Sequence, residues 1–269
     1  MPSVFIETHG CKLNQADSEA LAKKFNDSGF TLANNRVLAD VYVLNSCTVT
    51  GIADRKARQA LRSLRRSNNN SFVVATGCYA ERRPKELTSI EGVDLVIGNK
   101  NKDDLVKEVV LNLATARPKT TKQESEKHTG IERLRTRAMV KIQEGCNQVC
   151  SYCIVPKVRG KERSVEANEI LDNISSLEKN GVKEVVLTGT QLISYGFDTP
   201  KENLNRLLQS ILSNSSIPRV RISSLQPQII DEDLINLWKN PRLCPHFHIP
   251  LQSGSDKLLG RMRRRYDTS

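Results

Sequence analysis

The sequence predicts an α/β chain in two halves, each built around a parallel sheet. Two observations predict it. Short apolar runs alternate with helix-like stretches along most of the 269 residues, the pattern of strand–helix units joined by crossovers. A polar stretch at 115–137 with no apolar period separates one such series from the next. The length is enough for two cores.

In the first half, residues 4–6 read as a strand and 14–26 as the helix that follows. Residues 41–44 and 53–66 repeat the unit, and 72–75 with about 83–88 repeat it again. A helix over 102–113 closes the half. In the second half, 139–142 read as a strand and 166–179 as a helix with Gly181 as its stop. A strand at 184–188, a helix at 204–212, a strand at 219–223 and a helix at 231–239 follow. A fourth strand at 246–249 and the start of a helix at 256–262 end the chain. The expected domains are therefore 1–114 and 138–269, with 115–137 as linker.

Six of the seven cysteines fall into two triads. Cys11, Cys47 and Cys78 each follow a short apolar run and precede a helical stretch. In parallel sheets ligands bind where the carboxyl ends of the strands open. The three thiols thus share one rim and can converge on one metal site. The bland alternative is three thiols packed as small apolar groups; three equivalent positions in successive units favour the metal.

Cys146, Cys150 and Cys153 stand as Cys-x3-Cys-x2-Cys directly after the strand at 139–142. Three thiolates this close can hold three corners of a [4Fe–4S] cluster. With no fourth cysteine in the motif, one iron stays open for a ligand. Zinc is the alternative, but it prefers four closed ligands, and no histidine lies near. Cys244 belongs to neither triad and reads as a packed thiol. His246 and His248 share one face of their expected strand and read as barrel-lining polar groups rather than ligands.

Composition narrows the class. Two thiol triads and an odd cysteine do not make a disulfide framework. No signal-peptide pattern and no long apolar run is present, so the expectation is a cytoplasmic protein without a membrane partner. Lys and Arg number 41 against 30 Asp and Glu, a net charge of +11. Such an excess points to a polyanionic partner, since phosphate contacts dominate nucleic-acid affinity. Basic residues gather at Arg55, Lys56, Arg58, Arg62, Arg65 and Arg66, and again at Arg261, Arg263, Arg264 and Arg265. A solvated helix face is the plainer explanation for either run.

The second triad's spacing resembles the signature of radical S-adenosylmethionine (SAM) enzymes. The whole chain resembles their methylthiotransferase family. Both triads match, as do Val155-Pro156 with Arg159-Gly160, Thr-Gly-Thr-Gln-Leu-Ile-Ser-Tyr-Gly at 188–196, Arg-Ile-Ser-Ser-Leu-Gln-Pro at 221–227 and the segment 248–266 beginning His-Ile-Pro-Leu-Gln-Ser-Gly-Ser. Gly-Cys-Lys-Leu-Asn-Gln at 10–15 and Asn-Ser-Cys-Thr-Val-Thr at 45–50 resemble the subgroup that modifies threonylcarbamoyladenosine in tRNA. The sister subgroups act on isopentenyladenosine or on a ribosomal aspartate.

The resemblance implies a fold of an N-terminal parallel-sheet α/β domain followed by a partial TIM-barrel radical SAM core. It implies two [4Fe–4S] clusters, one on Cys146, Cys150 and Cys153 that cleaves SAM, one on Cys11, Cys47 and Cys78 that presents sulfur. The substrate would be adenosine 37 in the tRNA anticodon loop, modified at C2 by sulfur insertion and methylation, with an electron donor of unknown identity. Tyr152 would lie near the adenine of SAM, and Gly189 and Gln191 near its amino group, although the acidic residue usual there is missing. Arg159 would meet the SAM carboxylate or a phosphate, or stand at the surface. Ser223 and Gln252 would face the cavity, and Gly254 would permit a tight turn. Val165-Glu166 stand where relatives often have Arg-Pro. The chain also reads as a fragment: only about four strands of a six-unit barrel are counted, and the all-β TRAM domain of relatives is absent. A nucleic-acid-binding module with structural metal would explain the charge and the cysteines, but not the open three-cysteine spacing.

Overall fold

A computed structural model describes residues 1–68, 70–115, 136–199 and 202–269. The chain divides into two compact units, Met1–Glu132 and Arg133–Ser269. All of the expected linker except Thr115, Thr136 and Arg137 lies outside the described residues.

The first unit runs β1 (Ser3–His9), α1 (Lys12–Asp27), β2 (Thr31–Leu32), β3 (Val41–Ser46), α2 (Gly51–Ser67), β4 (Phe72–Gly77), α3 (Cys78–Arg82), α4 (Pro84–Thr88), β5 (Leu95–Ile97) and α5 (Leu105–Thr115). Its five strands pair in the order β2-β1-β3-β4-β5, all parallel. Side chains alternate across the sheet. Val41 and Val43 meet Leu21 and Phe25 of α1 and Leu105 and Val109 of α5 on one face. Tyr42 and Leu44 meet Ala57, Leu61 and Leu64 of α2 on the other. Both faces are therefore covered, which explains why β3 is buried throughout.

The helix expected at about 83–88 is present as α4, and α3 ends just before it because Arg83 precedes Pro84 and leaves helical geometry at φ −138°. One expectation needs correction here. The helix expected from 102 begins as a tight turn of 3₁₀ helix over Asn99–Asp104. The short strands β2 and β5 carry too few residues for a readable pattern.

The second unit runs β6 (Arg137–Lys141), β7 (Gln143–Glu144), α6 (Val155–Arg159), β8 (Arg163–Ser164), α7 (Ala167–Lys179), β9 (Glu184–Thr188), α8 (Leu204–Asn214), β10 (Arg219–Ile222), α9 (Glu232–Leu237) and α10 (Asp256–Arg261). β6, β9 and β10 form a parallel sheet in that spatial order, and β7 and β8 pair antiparallel beside it. Ile170 and Ile174 of α7 and Leu207, Leu208 and Ile211 of α8 pack on Val140, Val185, Leu187 and Val220. The strand expected at 246–249 is only a bridge, Ser224 to His248. Pro245 and Pro250 flank it and lack the N–H a ladder needs. His246 and His248 are exposed, and His248 Nδ1 shares a hydrogen bond with Ser224 Oγ at 2.8 Å. Cys244 is buried, as a packed thiol should be. No helix among the described residues is long and apolar enough to cross a membrane.

Two thiol triads as candidate metal centres

The first triad grows out of strand register. His9 pairs with Ser46, and Ser46 with Gly77, so one row crosses the ends of β1, β3 and β4. Cys47 and Cys78 are the next residues after that row, and Cys11 follows two residues on as the N-cap of α1. The backbone can deliver Cys78 there because Gly77 adopts φ +95°, where a Cβ would stand 2.5 Å from Asn45 Oδ1. Below the thiols lies a polar floor. Asn14 Nδ2 donates to Asn45 Oδ1 at 3.2 Å, and Asn45 Nδ2 donates to Asn14 O and to Ser18 Oγ.

Each thiol has a polar neighbour. Cys11 donates to Asn14 Oδ1 at 3.2 Å, while the Cys47 and Cys78 sulfurs accept from Val49 N–H at 3.4 Å and Asn99 Nδ2 at 3.5 Å. Burial pushes the Cys47 thiol up, and Cys78 and Cys11 add to the rise, while the Val49 N–H opposes it. Cys47 is thus close enough to feel the other two sulfurs, although the three come from three different crossovers.

The second triad sits in the loop between β7 and α6. Cys146 is buried and donates to Gln191 Oε1 at 2.8 Å, and its sulfur accepts from Gln148 N–H at 3.4 Å. The loop closes on itself through Cys153 N–H to Cys150 O at 3.2 Å. Burial raises the Cys146 thiol, Gln148 N–H lowers it, and Glu162, Cys153 and Cys150 raise it further. A cavity of about 560 Å³ opens beside Cys146, Cys150 and Cys153, with Lys157, Lys161 and Arg263 also at its wall.

The remaining expected site residues divide. Gln191 reaches the Cys146 thiol, and its N–H donates to Gln143 Oε1 at 2.8 Å. Gly189 lies where a Cβ would stand 2.9 Å from Gln143 O. Tyr152 is half exposed; its hydroxyl donates to Gln252 Oε1 at 3.1 Å and accepts from Arg264 Nη2 at 2.6 Å. Ser223 is buried just past β10 with its N–H on Leu187 O, and makes no hydrogen bond to the cysteine loop among the described residues. Arg159 is neither at the surface nor at the cavity wall. It is buried in an ion pair with Glu144 at 2.8 Å, a carboxylate that also takes Lys141 and Arg163. The chain bends at Gly254, and Gln252 two residues before it carries a positive φ of 65°. Asn14 and Asn45 stand in the motif words around Cys11 and Cys47 without a role of their own there, and Glu144 and Lys161 are not among the expected site residues.

Among the described residues no three His, Cys, Asp or Glu side chains gather closely enough to hold a single metal ion. A cubane takes each thiolate on a different iron, so its ligands stand wider apart than those around one ion. Each triad supplies three thiols rather than the four closed ligands of structural zinc, and N–H donors already face the Cys47, Cys78 and Cys146 sulfurs, as thiolate ligands of a cluster need.

Residues 3–98 match the Uncharacterized protein family UPF0004, and residues 140–269 match the Radical SAM superfamily. The chain is 40% identical over 271 residues to Threonylcarbamoyladenosine tRNA methylthiotransferase MtaB of Aquifex aeolicus (strain VF5), covering 98% of this chain and 66% of that protein. It is 37% identical to tRNA-2-methylthio-N(6)-dimethylallyladenosine synthase of Methylacidiphilum infernorum (isolate V4), covering 100% of this chain and 62% of that protein. The chain thus spans a little under two thirds of the length of these relatives. Among solved structures, the radical S-adenosylmethionine methyltransferase TsrM of Kitasatospora setae shares the fold, with a TM-score of 0.66 at 14% identity, over 99% of this chain and 63% of that one.

Proposed function

The chain belongs to the radical SAM methylthiotransferase family, and on that premise we propose that it serves in methylthiolation of tRNA, with N6-threonylcarbamoyladenosine 37 as substrate. The observation that carries the reading is the pair of thiol triads, one of them beside a cavity walled by cations. Cys146, Cys150 and Cys153 would hold one [4Fe–4S] cluster, and Cys11, Cys47 and Cys78 a second. Held by these cysteines with one iron open, a cluster would supply one-electron reducing chemistry toward SAM, the kind needed for radical attack at an aromatic ring carbon.

The chain's own residues do the holding. Gln191 fixes the Cys146 side chain. Lys157, Lys161 and Arg263 bring positive charge to the cavity, suited to the carboxylate of an amino acid. Tyr152, anchored by Gln252 and Arg264, offers an aromatic face beside the third thiol. Gly189 and Ser223 stay in the proposal as backbone and hydroxyl at strand ends. Arg159 instead braces Glu144 at the entrance to the cysteine loop. The domain limits 1–114 and 138–269 stand as the proposed division of labour between the two triads.

A second reading takes dimethylallyladenosine 37 as substrate; the name of the relative at 37% identity supports it. Mass spectrometry of tRNA nucleosides from a strain lacking the gene separates the two. Loss of the methylthio form with threonylcarbamoyladenosine accumulating supports the first substrate. An unchanged pool of that nucleoside with methylthio loss from the dimethylallyl form supports the second. No change in either overturns the proposal.

A further inference from the structure

Helix α2 carries more positive charge than its own unit uses. Of its six basic residues, Arg58 donates to Tyr79 Oη at 2.7 Å and to Glu86 at 2.9 Å, and Arg65 lies over Gly92. Arg55, Lys56, Arg62 and Arg66 are exposed and form no ion pair among the described residues. At about 100° per residue, Arg55, Arg62 and Arg66 fall within roughly 40° of one another, on a line about 16 Å long. Gln59 completes the line, and no carboxylate interrupts it. Arg62 and Arg66 are an i,i+4 pair of like charges, an arrangement that costs stability unless an anion lies across it.

The line starts at the thiols. α2 begins four residues after Cys47, and its Thr50 cap accepts from Ala53 N–H. Between the thiol and the first arginine stand Val49 and Ile52, which are 65% and 57% exposed. An apolar patch beside a metal-type rim, continued by a rail of cations, matches a strand of nucleic acid with one base unstacked at the rim.

We infer that this face binds RNA. Arg55, Arg62 and Arg66 neutralise phosphates of one strand, and Val49 and Ile52 lie against a base near Cys47. The inference rests on the tRNA reading above and assigns it a surface in the first unit.

The test uses the cluster-loaded chain and tRNA, with the dissociation constant measured over a range of salt. The variant is R55Q/R62Q/R66Q, and the control is K179Q/K183Q/K239Q, which removes the same charge elsewhere. Glutamine is a good helix former, so α2 should persist; iron content and circular dichroism check it. The expected result is a salt slope shallower by about 2–3, from roughly 0.7–0.9 per lost phosphate contact, with affinity down about tenfold to a hundredfold at low salt. The control keeps most of the slope. V49S/I52S should weaken binding while leaving the slope intact. An unchanged slope in the rail variant, or an equal fall in the control, overturns the rail alone. If the unaltered chain shows no salt-dependent binding of tRNA, the rail falls together with the tRNA reading.

Discussion

Cys47 and Cys78 leave adjacent parallel strands at the same level, because Ser46 and Gly77 pair in the last row of the β3–β4 ladder. The thiol pair is set by sheet register and not by local sequence. Gly77 is the hinge of that arrangement, in a backbone region that only glycine tolerates. Gly77→Ala should destabilise the first unit by at least about 1–3 kcal/mol. It should also strip iron from the first triad while the second keeps its share. Iron per chain and a denaturant melt check this; full iron loading would contradict it.

Gln191 meets Cys146 as an acceptor of its thiol proton. A metal-bound thiolate has no proton to give, so the same amide must turn its NH₂ to the sulfur. Gln191→Glu cannot donate and adds a like charge, whereas Gln191→Ala only removes the contact. The glutamate variant should therefore load the second triad less well than the alanine variant. Equal visible absorption of the two reconstituted proteins would refute the role.

Arg159 and Glu144 form the buried brace beneath the cysteine loop, with the Arg159 side chain 3% exposed. Removing Glu144 takes the carboxylate from the buried Arg159, and breaking a buried pair in this way costs about 3–5 kcal/mol. Removing Arg159 leaves Glu144 with Lys141 and Arg163, so Glu144→Leu should lower the stability of the second unit by more than Arg159→Ala does. Replacing both, as R159M/E144L, should cost less than E144L alone. A denaturant titration of the three proteins decides it.

Much of the fold was legible in the sequence, and the reasons are local. The runs at 41–44, 72–75 and 185–187 are short, continuous and apolar, and each is bounded by polar or turn residues, so they read as buried strands. β5 has three residues and β7 and β8 two each, too short for any period to show. Pro84 stands at the start of the helix expected at about 83–88, but nothing marked the short helix Cys78–Arg82 before it. In the sites, the cysteines were readable because their chemistry is rare and their spacing regular. Gln191 and Cys146 lie 45 residues apart; the resemblance puts Gln191 near SAM at the same site, but nothing local points to its contact with the Cys146 thiol. Arg159 sits in a short basic run that reads as surface until the fold places Glu144 against it.

Glu184 gives the second unit a dependence on pH. Burial would raise its carboxyl, but Arg221, Arg137 and Arg219 outweigh it and hold it below the ordinary value of 4.5. A carboxyl depressed in the folded state adds stability above its unfolded pKa and loses it as pH falls through the folded one. Thermal midpoints should therefore hold above about pH 4.5 on this account and drop below it. Glu184→Gln should be less stable at neutral pH and show a flatter acid limb. Parallel acid limbs for the two proteins would contradict this.

The most direct measurement is electron paramagnetic resonance of the anaerobically reconstituted, reduced chain, with and without SAM. It would be repeated on C11A/C47A/C78A and on C146A/C150A/C153A. Two separable cluster signals are expected, each lost with its own triad, and SAM should perturb only the one that depends on Cys146, Cys150 and Cys153. A single signal, zinc in place of iron, or a SAM effect that survives loss of the second triad would contradict the two-centre account.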